Sequence, residues 1–254
     1  TRISVPGGKS ITIFSDSDDL TITDDTRKGI NLSANGSLAF EGITFDTNGQ
    51  IYLYNEASLT FTNAELNMDG EMYEFSIAYY CCAISLEAPA NLTFDNSEVY
   101  IANYPLQGSA IRWDNNSEGY YINIINGTNF ESTNCYAGFT GTCNVLIENS
   151  KVNVHDHRGN GANGSHFIIR TTDEALATET KDDDTVVDFN NNGSHGLSAG
   201  ELNITNSTVT CNNNHGMGIT VNDAFTVVNS EVTVEGNADN KSYGYAAVRL
   251  YNNY

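Results

Sequence analysis

The sequence predicts an all-β chain wound as a right-handed parallel β-helix, a solenoid of about eight to ten coils with about three short strands each. Strand-forming composition, one recurring six-residue phrase and period-2 alternation inside each copy predict it. The 254 residues hold 22 glycines and only three prolines. Ile, Thr, Asn and Ser are plentiful, whereas Lys and Arg together number only 11. That balance favours strands and tight turns over helices. A hydrophobic content of 39 % in a regular pattern excludes a disordered chain.

The phrase reads Ser-Leu-Ala-Phe-Glu-Gly at 37–42 and Ser-Leu-Thr-Phe-Thr-Asn at 58–63. It returns at 91–96, 121–126, 144–149, 201–206 and 224–229, with a degenerate copy Val-Val-Asp-Phe-Asn-Asn at 186–191. The closing positions are Gly42, Asn63, Asn96, Asn126, Asn149, Asn191, Asn206 and Asn229. The steps between them are 21, 33, 30, 23, 42, 15 and 23 residues, a base step with insertions.

Each element follows from local chemistry. Within a copy, Leu59 and Phe61, or Leu202 and Ile204, alternate with polar residues, which buries one face of a first strand. The closing Asn suits a sharp corner because Asn tolerates the left-handed region, and stacked amides can bond to one another. A second alternating run follows, as in Glu98-Val99-Tyr100-Ile101. A third opens at Cys82, Ala110, Phe167, Gly218 and Ala247. Aligning these third runs gives Ile84, Ile111, Ile169, Ile219 and Val248 as a buried column. Ser85, Arg112, Arg170, Thr220 and Arg249 then form its outward neighbour.

This organisation resembles the pectate-lyase-like β-helix superfamily over nearly the whole chain. The phrasing is similar to that of β-helical surface proteins of Gram-positive bacteria. In texture it also resembles the β-helical lacto-N-biosidases, a glycoside hydrolase family of gut bacteria. The resemblance implies a bacterial, secreted or cell-surface protein with a carbohydrate ligand. It lies in repeat phrasing, so no catalytic residue of those families is carried over. A single domain over 1–254, cut from a longer extracellular chain with flanking domains, is expected.

Charge narrows the partners. With 11 Lys+Arg against 32 Asp+Glu, the formal charge is −21. Nucleic acid would be repelled, as would an anionic membrane surface. The longest apolar stretch, residues 75–86, is 12 residues and too short to span a bilayer. Of the five cysteines, Cys135 and Cys143 are spaced to bridge, but all five also read as small buried apolar residues.

Chemistry has two expected locations. Glu87 and Asp114 fall on adjacent coils, with Arg112 beside them as a substrate-binding group. Carboxyl groups about 5 Å apart are what a retaining glycosidase needs. Fourteen tyrosines, Tyr52 and Tyr54 among them, offer faces on which sugar rings stack. The second location is the 42-residue step, expected to leave the coil as loops. It carries His155 and His157 on one side of a strand, with Asp156 opposite. Asp156 pairs with Asp173 as an alternative catalytic couple, and His155, His157 and Arg170 serve as substrate-binding groups. No cofactor is required, although Asp182, Asp183 and Asp184 together suit calcium. The expected function is a glycoside hydrolase acting on host or plant oligosaccharides. The rival is a non-catalytic surface adhesin or structural module.

Overall fold

A computed structural model describes residues 2–16, 20–24, 29–70, 82–104, 108–114, 119–177, 184–237 and 247–251. Among the described residues, 25 strands and one short helix form two parallel sheets of 16 and 9 strands. The chain winds as a right-handed parallel β-helix, each coil contributing a first, a second and a third strand. First strands such as Ser37–Glu41, Ser58–Thr62 and Asn91–Asp95 stack in one column of the larger sheet. Third strands such as Ile51–Leu53, Ile84–Leu86 and Ser109–Trp113 stack in its other column. Second strands, from Thr21–Asp24 to Glu231–Thr233, make the smaller sheet. In the last coils third and first strands fuse: Ala162–Arg170, Leu197–Thr205 and Ile219–Val228 each run through both columns.

The registers set like upon like. Leu59 pairs with Leu38 and Leu92, and Phe61 with Phe40 and Phe94, all fully buried. The phenyl rings therefore stack coil on coil, with centroids 5.1 Å apart for Phe40–Phe61 and 5.6 Å for Phe61–Phe94. Phe94–Phe130, Phe130–Phe139 and Phe139–Phe167 carry the contact onward at 6.0, 5.4 and 6.5 Å. Burying each such side chain contributes roughly 1.5–3 kcal/mol.

All eight closing positions of the phrase take the left-handed conformation, with φ between 47° at Asn63 and 62° at Gly42. Asn191, however, turns a different corner. Val186–Asn190 is a second strand, paired with Lys151–His155, not a degenerate first strand. The first strand of that coil lies in 166–170, where Phe167 and Ile169 pair with Val145 and Ile147. Ile169 therefore leaves the third-strand column, which runs Ile84, Ile111, Phe139, Ala162, Leu197, Ile219 and Val248. Phe167-Ile-Ile has the alternation of either strand, and only pairing decides which column it joins. The amide ladder is also partial. Asn96 donates to Asn63 at 2.6 Å, but Asn126 donates to Asp95 and Asn149 to Thr172.

The last coils hold a second, internal ladder. Asn192 and Asn214 are buried, and the Asn214 Oδ1 accepts from both the backbone N–H and the side-chain amide of Asn192, at 2.9 and 3.0 Å. Asn214 donates in turn to the Asn237 Oδ1 and to the Phe189 carbonyl, both at 2.9 Å. His157 extends the stack, its N–H donating to the Asn192 Oδ1 at 3.2 Å. Opposite lies a glycine row: a Cβ at Gly161, Gly196 or Gly218 would sit 2.7–2.8 Å from the amide nitrogen of Asn192, Asn214 or Asn237. The amides fit only because these positions lack side chains.

Candidate functional site

Parallel strands lie about 4.8 Å apart, so outward side chains at paired positions form rows across the coils. On the third-strand column one row is Tyr52, Ser85 and Arg112. The next outward row follows from the backbone bonds just past those strands. Glu87 N–H donates to the Leu53 carbonyl at 3.0 Å and Asp114 N–H to the Leu86 carbonyl at 2.9 Å. Tyr54, Glu87 and Asp114 are thereby neighbours on successive coils. The rings of Tyr52 and Tyr54 lie 6.5 Å apart at an interplanar angle of 16°, a nearly parallel pair. The Tyr52 hydroxyl donates to Gln50, whose amide donates to the Cys82 carbonyl. Arg112 Nε lies 2.9 Å from Asp114 Oδ2 and fixes the direction of that carboxylate. Glu87 is exposed, while Trp113 is fully buried, its indole N–H donating to the Ala88 carbonyl. Aromatic rings, an arginine and two carboxylates thus share one face.

The sequence places Glu87, Arg112 and Asp114 together but offers Tyr52 and Tyr54 only as two of fourteen tyrosines, not joined to that face. The signal was present: Ile51-Tyr-Leu-Tyr54 has the alternation of a third strand and precedes a copy of the phrase.

The 42-residue step is arranged differently. Residues 151–170 follow the regular coil, and the described residues 172–177 depart from it. That excursion is pinched at its base, where Thr185 N–H donates to Thr171 Oγ1 at 2.8 Å. It opens with the helix Asp173–Leu176, capped by Thr172. Asp156 and Asp173 are not brought together. Asp156 lies at the end of strand Lys151–His155, and Asp173 follows Thr172, which bonds Asn149 at that strand's start. A five-residue strand, about 16 Å, separates the two corners. Asp156 has φ 56°, a corner residue of the same kind as Asn103, Asn134 and Asn191.

That left-handed residue breaks the alternation, so His155 and His157 part company. His155 lies outside, with Nδ1 2.7 Å from Asp156 and Nε2 3.1 Å from Glu131. Partial burial pulls its pKa down, but hydrogen bonds to the two carboxylates outweigh this and the net direction is up. Both ring nitrogens are committed. His157 is buried at 2 % exposure and cannot reach a ligand on the surface. Cys135 N–H donates to its Nδ1, so the ring proton sits on Nε2, facing Ser132 at 3.1 Å. Burial is the main cause that holds its pKa down at about 4.

Arg170 belongs to the first-strand column, paired with Glu148 at 2.6 Å, and does not join Arg112. Asp182 and Asp183 lie outside the described residues; Asp184 is exposed. Among the described residues no group of three or more His, Cys, Asp or Glu side chains is placed to hold a metal, and no helix is long and apolar enough to cross a membrane. Cys135 and Cys143 are buried separately as free thiols, each donating to a backbone carbonyl. Burial pushes both thiols up to about 12.

Fold and site define a parallel β-helix with an aromatic and carboxylate face. No family model, curated protein or solved structure matches the chain.

Proposed function

We propose that this chain is an extracellular carbohydrate-active β-helix of the pectate-lyase-like kind. In this reading it is a glycoside hydrolase whose carboxylate pair is Glu87 and Asp114. The observation that carries it is the register placing Tyr54, Glu87 and Asp114 on successive coils beside Tyr52 and Arg112. The parallel tyrosine rings offer a sugar an apolar platform. Backbone spacing of about 4.8 Å is compatible with a retaining mechanism. Asp114, oriented by Arg112, suits the nucleophile, and the exposed Glu87 suits the acid and base.

The test is sugar release from a panel of host and plant oligosaccharides by the wild type, Glu87→Gln and Asp114→Asn. Release by the wild type, lost at least about a hundredfold in either variant with the fold intact, supports the hydrolase. No release by the wild type rejects it. A second reading, a non-catalytic surface module, rests on the flat ladder of amides and acids along the smaller sheet, where Asn129 donates to Glu98 and Asn67 to Asp46. Glycan binding without release favours that module.

A further inference from the structure

The first-strand column carries a second unusual surface. Its middle outward row reads Ala39, Thr60, Thr93, Asn123, Leu146, Ile168, Asn203 and Thr226. Small or polar side chains occupy every coil except two. There Leu146 and Ile168 face outward side by side, and Ile125 adjoins them from the next row, paired with Glu148. Nothing in the strand's chemistry requires aliphatic residues on a solvated face, where Thr serves the neighbouring coils equally well.

The rim of this island is polar and built. Tyr121 and His166 lean together over Asn144, with ring centroids 6.3 Å apart. Asn144 is only 9 % exposed and donates to the Tyr120 carbonyl. Asn203 Nδ2 lies 3.2 Å from His166 Nε2, and Glu201 Oε2 lies 3.7 Å from the same nitrogen. An aromatic edge, an aliphatic floor, and amide, imidazole and carboxylate groups around it match a pyranose ring. Such a ring has an apolar face and a girdle of hydroxyls. The island follows the first face along the chain: Asp114 comes just after the third strand Ser109–Trp113, and Tyr121 precedes the first strand Ile122–Ile125.

We propose that this island is a second saccharide subsite, and that the sugar chain it holds is uncharged. The sign of the charge decides the class. The chain carries −21 overall, Glu201 stands at the rim, and Arg170 beside the island is already paired with Glu148. A polyuronate would meet that negative charge, with the Arg170 guanidinium already held by Glu148. This inference rests on the carbohydrate reading and lengthens its site from one face to two.

The test is calorimetric titration of the whole chain with cellohexaose, xylohexaose, chitohexaose and hexagalacturonate, and with the matching disaccharides. The variants are Tyr121→Ala and the double variant Leu146→Thr with Ile168→Thr, which restores the polar row of the other coils and keeps β propensity. A neutral hexasaccharide is expected to bind, at least tenfold more weakly in both variants, with disaccharide binding at the Tyr52 face unchanged. Unchanged hexasaccharide affinity in both folded variants overturns the subsite while leaving the first face standing. Tighter binding of hexagalacturonate overturns the assignment of an uncharged sugar. Absence of binding by every wild-type titration overturns the subsite and the carbohydrate reading together.

Discussion

The early and late coils solve one packing problem with opposite chemistry. Around Phe40, Phe61 and Phe94 the interior is a stack of phenyl rings, non-directional and tolerant of exchange among apolar side chains. Around His157, Asn192 and Asn214 it includes a column of buried polar side chains whose hydrogen bonds run from coil to coil. A phenyl stack loses energy in proportion to what is removed. A hydrogen-bonded ladder loses more, because each deleted member strands its neighbours without water.

The sharpest way to break this contrast is to replace one rung by an apolar residue of similar size. Asn214→Leu removes four hydrogen bonds and leaves the Asn192 N–H and the Phe189 carbonyl buried without their partner. A loss of roughly 3–4 kcal/mol is expected by chemical denaturation. Phe61→Leu among the early coils should cost about 1 kcal/mol. Equal losses would erase the distinction.

Acid should act on the late coils in the same direction. His157 has a folded pKa of about 4, below the ordinary 6.5. The unfolded chain therefore takes up a proton that the folded chain refuses as pH falls from 6.5. Stability carried by this residue is full above pH 6.5 and falls by about 3 kcal/mol by pH 4. His157→Asn, which continues the amide column, should flatten that part of the pH profile. A profile unchanged by the substitution would remove His157 as the cause. His155 works oppositely, since its raised pKa adds stability at low pH that is lost as pH rises through it.

A smaller effect sharpens the fit between the ladder and its glycine row. Gly196→Ala places a methyl group 2.7 Å from both the Asn214 amide nitrogen and the Gly218 carbonyl oxygen. About 2 kcal/mol should be lost, seen as a lowered melting temperature. The smallest effect belongs to the outer corners. Asn96→Ala forces alanine into φ 47° and should cost about 1 kcal/mol. Asn96→Gly, free to adopt that φ, should cost only about a few tenths. Equal losses with glycine and alanine, both of which delete the 2.6 Å bond to Asn63, would show that this bond, rather than the backbone, holds the corner.

The architecture was legible because a solenoid repeats one local rule. Alternation at Leu59 and Phe61 names the buried face, and Asn at the corner names the left-handed turn. The rule failed where two strand types share one pattern. Phe167-Ile-Ile fits a first or a third strand equally, and Val186–Asn190 imitates the phrase while lying in the other sheet. The long step also concealed one regular coil plus one excursion, which put His155 and Asp156 at a corner rather than on a loop. At the candidate site, Glu87, Arg112 and Asp114 were readable from adjacent third runs. Tyr52 and Tyr54 were not joined to them, because a 33-residue step separates the coils.

The sequence by itself determined the strands, the corners and which face of each strand is buried. Those depend on side-chain alternation and on backbone preferences that act within a few residues. Only the tertiary structure decided which outward residues meet, because neighbours on adjacent coils are set by pairing register. One inserted excursion or one left-handed residue, as at Asp156, changes that register without changing the local pattern.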